Sequence, residues 1–135
     1  MSQISVSLHN VPGTEAAVGW AGGHTLVVDR PEGRAGGMGL GFNGGQMLAL
    51  AIGGCLCNDL RYVAHEMGVY LADIDVSVIL ELDGSPTLVT SASVQVRIDA
   101  PGREADVAEI VRRAEAGSTV SNSIARGLPV MVRIA

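Results

Sequence analysis

Gln46-Met47-Leu48-Ala49-Leu50-Ala51-Ile52-Gly53-Gly54-Cys55-Leu56-Cys57 begins a stretch, continuing to Met67, that has no proline and few charges. Its first half is apolar on every side. Its second half narrows to Leu56, Leu60, Val63 and Met67 on one face, with Asn58, Arg61, His65 and Glu66 elsewhere. That pattern predicts a helix over 46–67 that starts buried and emerges toward solvent. Gly68 suits the left-handed position that ends a helix.

On the amino-terminal side, Ile4, Val6 and Leu8 alternate with polar residues, and after a turn at 10–13 the stretches 16–20 and 24–29 read as further short strands. Residues 31–45 hold seven glycines and predict a loop or connector leading into the helix. On the carboxy-terminal side, Ile74, Val76, Val78, Leu80 and Leu82 form an alternating stretch. Asp83-Gly84-Ser85-Pro86 turns the chain into a second one through Val94, Val96 and Ile98, which predicts a long hairpin with one wet face. Val107, Ile110, Val111 and Ala114 recur at helical spacing, Ser118 is placed to cap a short helix over 119–126, and Val130, Val132 and Ile134 predict a closing strand. Strands and helices are segregated rather than alternating. The expected class is α+β, with antiparallel sheet around a long central helix and one domain over residues 1–135.

Composition narrows the function. A net charge of -5 opposes the footprint that a phosphate backbone demands, and no basic cluster compensates, so nucleic acid is not expected as a partner. The apolar run 47–57 is shorter than the ~20 residues needed to span a bilayer, so no membrane partner is expected either. The amino terminus lacks the basic and apolar regions of a secretory signal, which points to the cytoplasm and to reduced cysteines. Trp20, Phe42, Tyr62 and Tyr70 are the aromatic residues, so the core must rest on small aliphatic side chains, and dimerisation would add burial.

The chemistry concentrates on Cys55 and Cys57. Residues two apart on a helix point roughly 200° from each other, so the pair forms two separate thiols and no disulfide without unwinding. Each is either a packed small hydrophobe or a reactive group. Gly53 and Gly54, each costing about 1 kcal/mol relative to alanine inside a helix, imply that something approaches the backbone there, whether another helix or a ligand reaching the sulfur. His9, His24 and His65 are scattered, so no metal site is expected, and no phosphate loop or serine-nucleophile setting is present. No cofactor is required.

Several pieces then resemble one family. The segment 24–31 (His24-Thr25-Leu26-Val27-Val28-Asp29-Arg30-Pro31), Gly36-Gly37, the run 46–55 with Asp59 four residues on, Ala114-Glu115, Val120-Ser121-Asn122-Ser123 and Gly127-Leu128-Pro129-Val130 are similar to the OsmC/Ohr family of osmotically inducible and organic hydroperoxide resistance proteins, in its OsmC-like branch. The resemblance implies an intertwined homodimer with central helices buried between two sheets. It also implies a peroxidatic cysteine at Cys55 that becomes a sulfenic acid. The sequence departs from the family pattern in three places. Ser118 stands where the resolving cysteine belongs, Gly45 replaces a glutamate, and the arginine of the Ohr-type amino-terminal strands has no counterpart near Val18 to Trp20. An external thiol reductant is therefore expected. Candidate accessory residues are Cys57, Arg30 and Ser118, with Arg34 and His24 as further cations, and the rival expectation is a non-catalytic dimer that binds a small apolar ligand.

Overall fold

Why the glycine-rich loop takes one shape is answered by Asp29. In the computed structural model, which describes residues 1–135, β1 (Ser7–Asn10), β2 (Ala17–Ala21) and β3 (His24–Val28) form an antiparallel sheet in the order β1-β2-β3. Asp29 follows directly and is buried. Its Oδ2 accepts the backbone N–H groups of Met38 (3.0 Å) and Leu40 (3.1 Å), while Oδ1 accepts that of Arg30 (2.7 Å). The loop that follows is thereby folded back on the strand that precedes it. Phe42 N–H completes the return by donating to the Val27 carbonyl, and Asp29 N–H donates to that of Phe42. At Gly41 the strand lies so close that any Cβ would collide with the Val27 carbonyl. Residues 31–45 are thus a hydrogen-bonded structure rather than a slack connector.

The Leu40, Met38 and Arg30 N–H groups, with the Arg30 guanidinium, hold the Asp29 carboxyl below its ordinary value. A lowered folded-state pKa contributes stability above the unfolded value, near 3.8, and that contribution is lost as pH falls through the folded value. Asp29→Asn is therefore expected to increase proteolytic cleavage within residues 31–42 at neutral pH. It should also make that cleavage less sensitive to acidification below about pH 4 than in the unmodified chain.

By backbone contact the chain divides into two compact units, residues 1–48 and 49–135. The first holds the three-stranded sheet, the loop and the start of α1 (Gly44–Glu66). Asn43 and Gln46 fix that start reciprocally: Gln46 N–H donates to Asn43 Oδ1 (2.9 Å) and Asn43 N–H to Gln46 Oε1 (3.0 Å), the arrangement of a capping box. The helix consequently begins two residues earlier than its apolar pattern implies. It ends as expected, with Gly68 at φ 67°.

In the second unit the hairpin of β4 (Asp73–Asp83) and β5 (Leu88–Asp99) is followed by a single 3-10 turn, α2 (Val107–Gly117) and α3 (Thr119–Arg126). Ile74, Val76, Val94, Val96 and Ile98 turn one hairpin face onto a core of Leu56, Leu60, Ala64, Val69, Leu71, Ala100, Ile110 and Ala114. The period-two alternation thus places the apolar face as expected. Gly53 belongs to this packing. A Cβ there would stand 3.0 Å from Val78 Cγ2, so the close neighbour is the hairpin and not another helix or a ligand. Gly54 faces open space.

Two expectations need correction. Residues 128–135 form no strand; Val130, Val132 and Ile134 are 79%, 91% and 101% exposed, and no neighbouring strand of this chain offers them a hydrogen-bonded ladder. Ser118 occupies the N-cap position of α3, but its side chain makes no capping bond because the hydroxyl is turned elsewhere. In length and composition α1 would suffice to cross a bilayer, yet Ile52, Gly53, Leu56, Leu60 and Ala64 are buried.

Candidate functional site

Cys55 lies on the fourth turn of α1, next to the core residue Leu56 and on the side where the chain between α2 and α3 passes. Its thiol donates to Asp59 Oδ2 at 3.5 Å, one helical turn along. From across the fold, 63 residues away in sequence, the Ser118 hydroxyl stands 3.7 Å from the sulfur. Ser118 is fully buried, and its oxygen is also 3.5 Å from that of Ser121. One hydroxyl proton serves one acceptor at a time. When Ser118 donates to the sulfur, Ser121 is left to donate to Ser118, giving a relay that ends on Cys55.

The sulfur therefore has a carboxylate on one side and a buried hydroxyl on the other. Both cysteines are free and partly exposed. Cys57 makes no side-chain hydrogen bond and belongs to a different side of α1, so it is not brought to Cys55. Arg30 is engaged within the first unit: its Nη2 donates to the Glu15 carbonyl (2.6 Å) and to Asp29 Oδ1 (3.3 Å). Of the expected accessory residues in this unit, Ser118 touches Cys55 and Cys57 does not.

Ser121 also lines a cavity of about 420 Å³ whose other walls are aliphatic: Ile52 and Leu56 from α1, Val94 and Val96 from β5, Ile124 from α3. That volume falls within the roughly 300–1,000 Å³ of small-molecule sites, which are typically apolar with a few placed polar groups. Glu115 on α2 is the one charged residue in its lining. Asp59, Ser121 and Glu115 enter the sequence reading only as parts of the family resemblance, with no site role given to them. Asp59 had one available signal, its four-residue spacing from Cys55. The others meet only through the packing of α2 and α3 on the hairpin. No cluster of His, Cys, Asp and Glu able to hold a metal ion is formed.

No curated protein matches the chain. Solved structures do. The OsmC-like protein from Mycoplasma pneumoniae superposes with a TM-score of 0.76 at 13% identity, over 92% of this chain and 88% of that one. The organic hydroperoxide resistance protein OsmC from Legionella pneumophila gives 0.63 at 20% identity, covering 92% and 90%. The organic hydroperoxide resistance protein OhrB of Bacillus subtilis gives 0.59 at 19%, covering 90% of each. At these identities the likeness establishes a shared fold, with two antiparallel sheets and accompanying helices. A family model described as OsmC-like protein matches residues 36–133, which carry α1 and everything that surrounds Cys55, and the chain therefore belongs to the OsmC-like family.

Proposed function

We propose that this protein is a homodimeric, cytoplasmic thiol peroxidase that reduces organic hydroperoxides through Cys55 and is recycled by an external thiol. The observation that carries the reading is the partly exposed residue Cys55, its sulfur met by the buried Ser118 hydroxyl, with the aliphatic cavity at the other end of the Ser118–Ser121 relay. Relatives of the same fold described as organic hydroperoxide resistance proteins add support.

The chemistry follows from the sulfur. The Cys55 thiolate attacks the outer peroxide oxygen, an S–O bond forms as the O–O bond breaks, and the departing alkoxide takes up the proton lost from the thiol to become an alcohol. Cys55 is left as a sulfenic acid. Ser118 cannot form a disulfide, so reduction falls to a small thiol from outside. The dimer is supported by the apolar surface this chain leaves uncovered, including Leu8, Trp20 and Leu50 and the segment 128–134.

The second reading, a non-catalytic dimer holding an apolar ligand, is favoured by the cavity itself. Both are separated by intact mass after brief exposure of the reduced protein to stoichiometric organic hydroperoxide. One added oxygen is expected in the unmodified protein and in Cys57→Ser, and none in Cys55→Ser. An unmodified mass throughout overturns the peroxidase and leaves the ligand-binding reading. Sedimentation as a monomer removes the dimer from both.

A further inference from the structure

Ser118 stands at the N-cap position of α3 and yet does no capping, and the reason leads to Ser121. We propose that Ser121 is a positioning residue for Cys55, acting through Ser118 by keeping that hydroxyl on the sulfur rather than on the helix end. The proposal deepens the peroxidase reading, on which its biological use rests, but its test involves no peroxide.

The backbone of Ser118 is arranged for a cap. With φ −68° and ψ 113° it is extended, the conformation of an N-cap residue. Its carbonyl accepts the Asn122 N–H at 3.0 Å, and its own N–H donates to the Glu115 carbonyl at 3.3 Å. Only the side-chain hydroxyl is left with a choice. A serine at this position ordinarily turns its oxygen to the second or third N–H of the helix, here those of Val120 and Ser121, which have no partner within a helix. Ser118 makes no such bond. Its oxygen instead lies 3.7 Å from Cys55 Sγ and 3.5 Å from Ser121 Oγ.

Ser121 accounts for that departure. It occupies the third position of α3, from which a glutamate or glutamine reaches back to the N–H of the cap residue in a capping box. A serine is too short for that reach, and the Ser118 N–H is already taken by Glu115. The Ser121 hydroxyl is placed instead to donate to Ser118 Oγ, which leaves the Ser118 proton for its one remaining acceptor, the sulfur. Ser118 is fully buried, so bulk solvent does not compete for its hydroxyl. Without the Ser121 hydroxyl, the helix end becomes the better partner for the Ser118 oxygen.

The test is a double-mutant cycle on a Cys57→Ser background, read as the rate of Cys55 alkylation by iodoacetamide. Ser118→Ala and Ser121→Ala are each expected to change that rate by roughly threefold in the same direction, the size of one hydrogen bond made or lost. The double variant should change it no further than Ser118→Ala does, because Ser121 acts through Ser118. Ser121→Thr keeps the hydroxyl and should restore the unmodified rate. Asn122→Ala removes the bond to the Ala116 carbonyl in the same turn, leaves both hydroxyls in place, and should leave the rate unchanged. In Ser121→Ala the Hα–Hβ couplings of Ser118 should report a new χ1 rotamer, and the amides at positions 120 and 121 should exchange more slowly as the freed hydroxyl caps α3. Should Ser118→Ala fail to fold, that rotamer decides by itself. Additive effects, an unchanged rate in Ser121→Ala or an equal change in Asn122→Ala overturn the proposal, as does a Ser118 rotamer that persists without the Ser121 hydroxyl. A cycle that closes as expected in a protein that forms no sulfenic acid with peroxide sustains the positioning role and removes the peroxidase reading alone.

Discussion

Asp59→Asn speeds alkylation of Cys55 by iodoacetamide about tenfold at neutral pH, measured on a Cys57→Ser background so that one thiol reports. The sulfur donates to Asp59 Oδ2 at 3.5 Å, and ionising it sets a thiolate beside a carboxylate. Two unit charges 4 Å apart interact by about 4 kcal/mol at the effective dielectric of a protein surface, and the partial exposure of this pair reduces that by a large fraction. An asparagine keeps the shape and removes the charge. What remains beside the sulfur is the Ser118 hydroxyl, itself in contact with Ser121. Raising the salt concentration should reproduce part of the gain in the unmodified protein and little in the variant. An unchanged or slower rate in Asp59→Asn would show that the carboxylate serves instead to position or deprotonate the thiol. The comparison bears on peroxide chemistry because the thiolate is the nucleophile. If the proposed peroxide chemistry holds, the variant should consume peroxide faster than the unmodified protein.

The long helix was legible because its apolar pattern persists for six turns and a glycine ends it. Its start was obscured because the Asn43 to Gln46 capping box is embedded among glycines that read as loop. The hairpin was legible because its strands alternate on either side of Asp83-Gly84-Ser85-Pro86, and the two edges then pair with each other. The same alternation at Val130, Val132 and Ile134 misleads. Alternation assigns side chains to two faces, but a strand also requires a ladder, and no strand of this chain supplies one there. Ser118 illustrates a second limit. Its position before a short helix correctly marks a cap, yet the hydroxyl goes to a sulfur 63 residues away, a choice made by tertiary packing. Arg30 has a partner close in sequence that the reading overlooked. It adjoins Asp29, whose carboxylate organises the loop and takes the guanidinium with it. The cavity could not be read at all, since α1, β5, α2 and α3 each supply only a few of its walls.

Placing a second sulfur beside Cys55 gives the largest effect. In Ser118→Cys the new side chain starts from a position where the serine oxygen is 3.7 Å from Cys55 Sγ, and the longer C–S bond shortens that gap. A disulfide needs the sulfurs about 2.05 Å apart, with Cβ atoms roughly 3.5–4.5 Å apart, which a rotation of either side chain toward the other can approach. The buried setting of Ser118 keeps a thiol there from competing reactions with solvent. After one equivalent of hydroperoxide, the sulfenic acid on Cys55 should be consumed by the introduced thiol with loss of water. The product mass then lies two hydrogens below that of the reduced variant, where the unmodified protein gains an oxygen. Turnover should shift from small monothiols to dithiol reductants, because a disulfide is now the species to be reduced. The oxidised variant should also unfold less readily. Closing a loop of this length removes enough chain entropy to contribute roughly 4 kcal/mol in the entropic account of disulfides, an upper figure if the bond strains α1 or the α2–α3 junction. Persistence of the added oxygen in Ser118→Cys would mean that the two side chains do not meet in solution as they do here, and would detach Ser118 from the chemistry of Cys55. Formation of the disulfide would show that this chain keeps the geometry for internal resolution while lacking one sulfur atom to perform it.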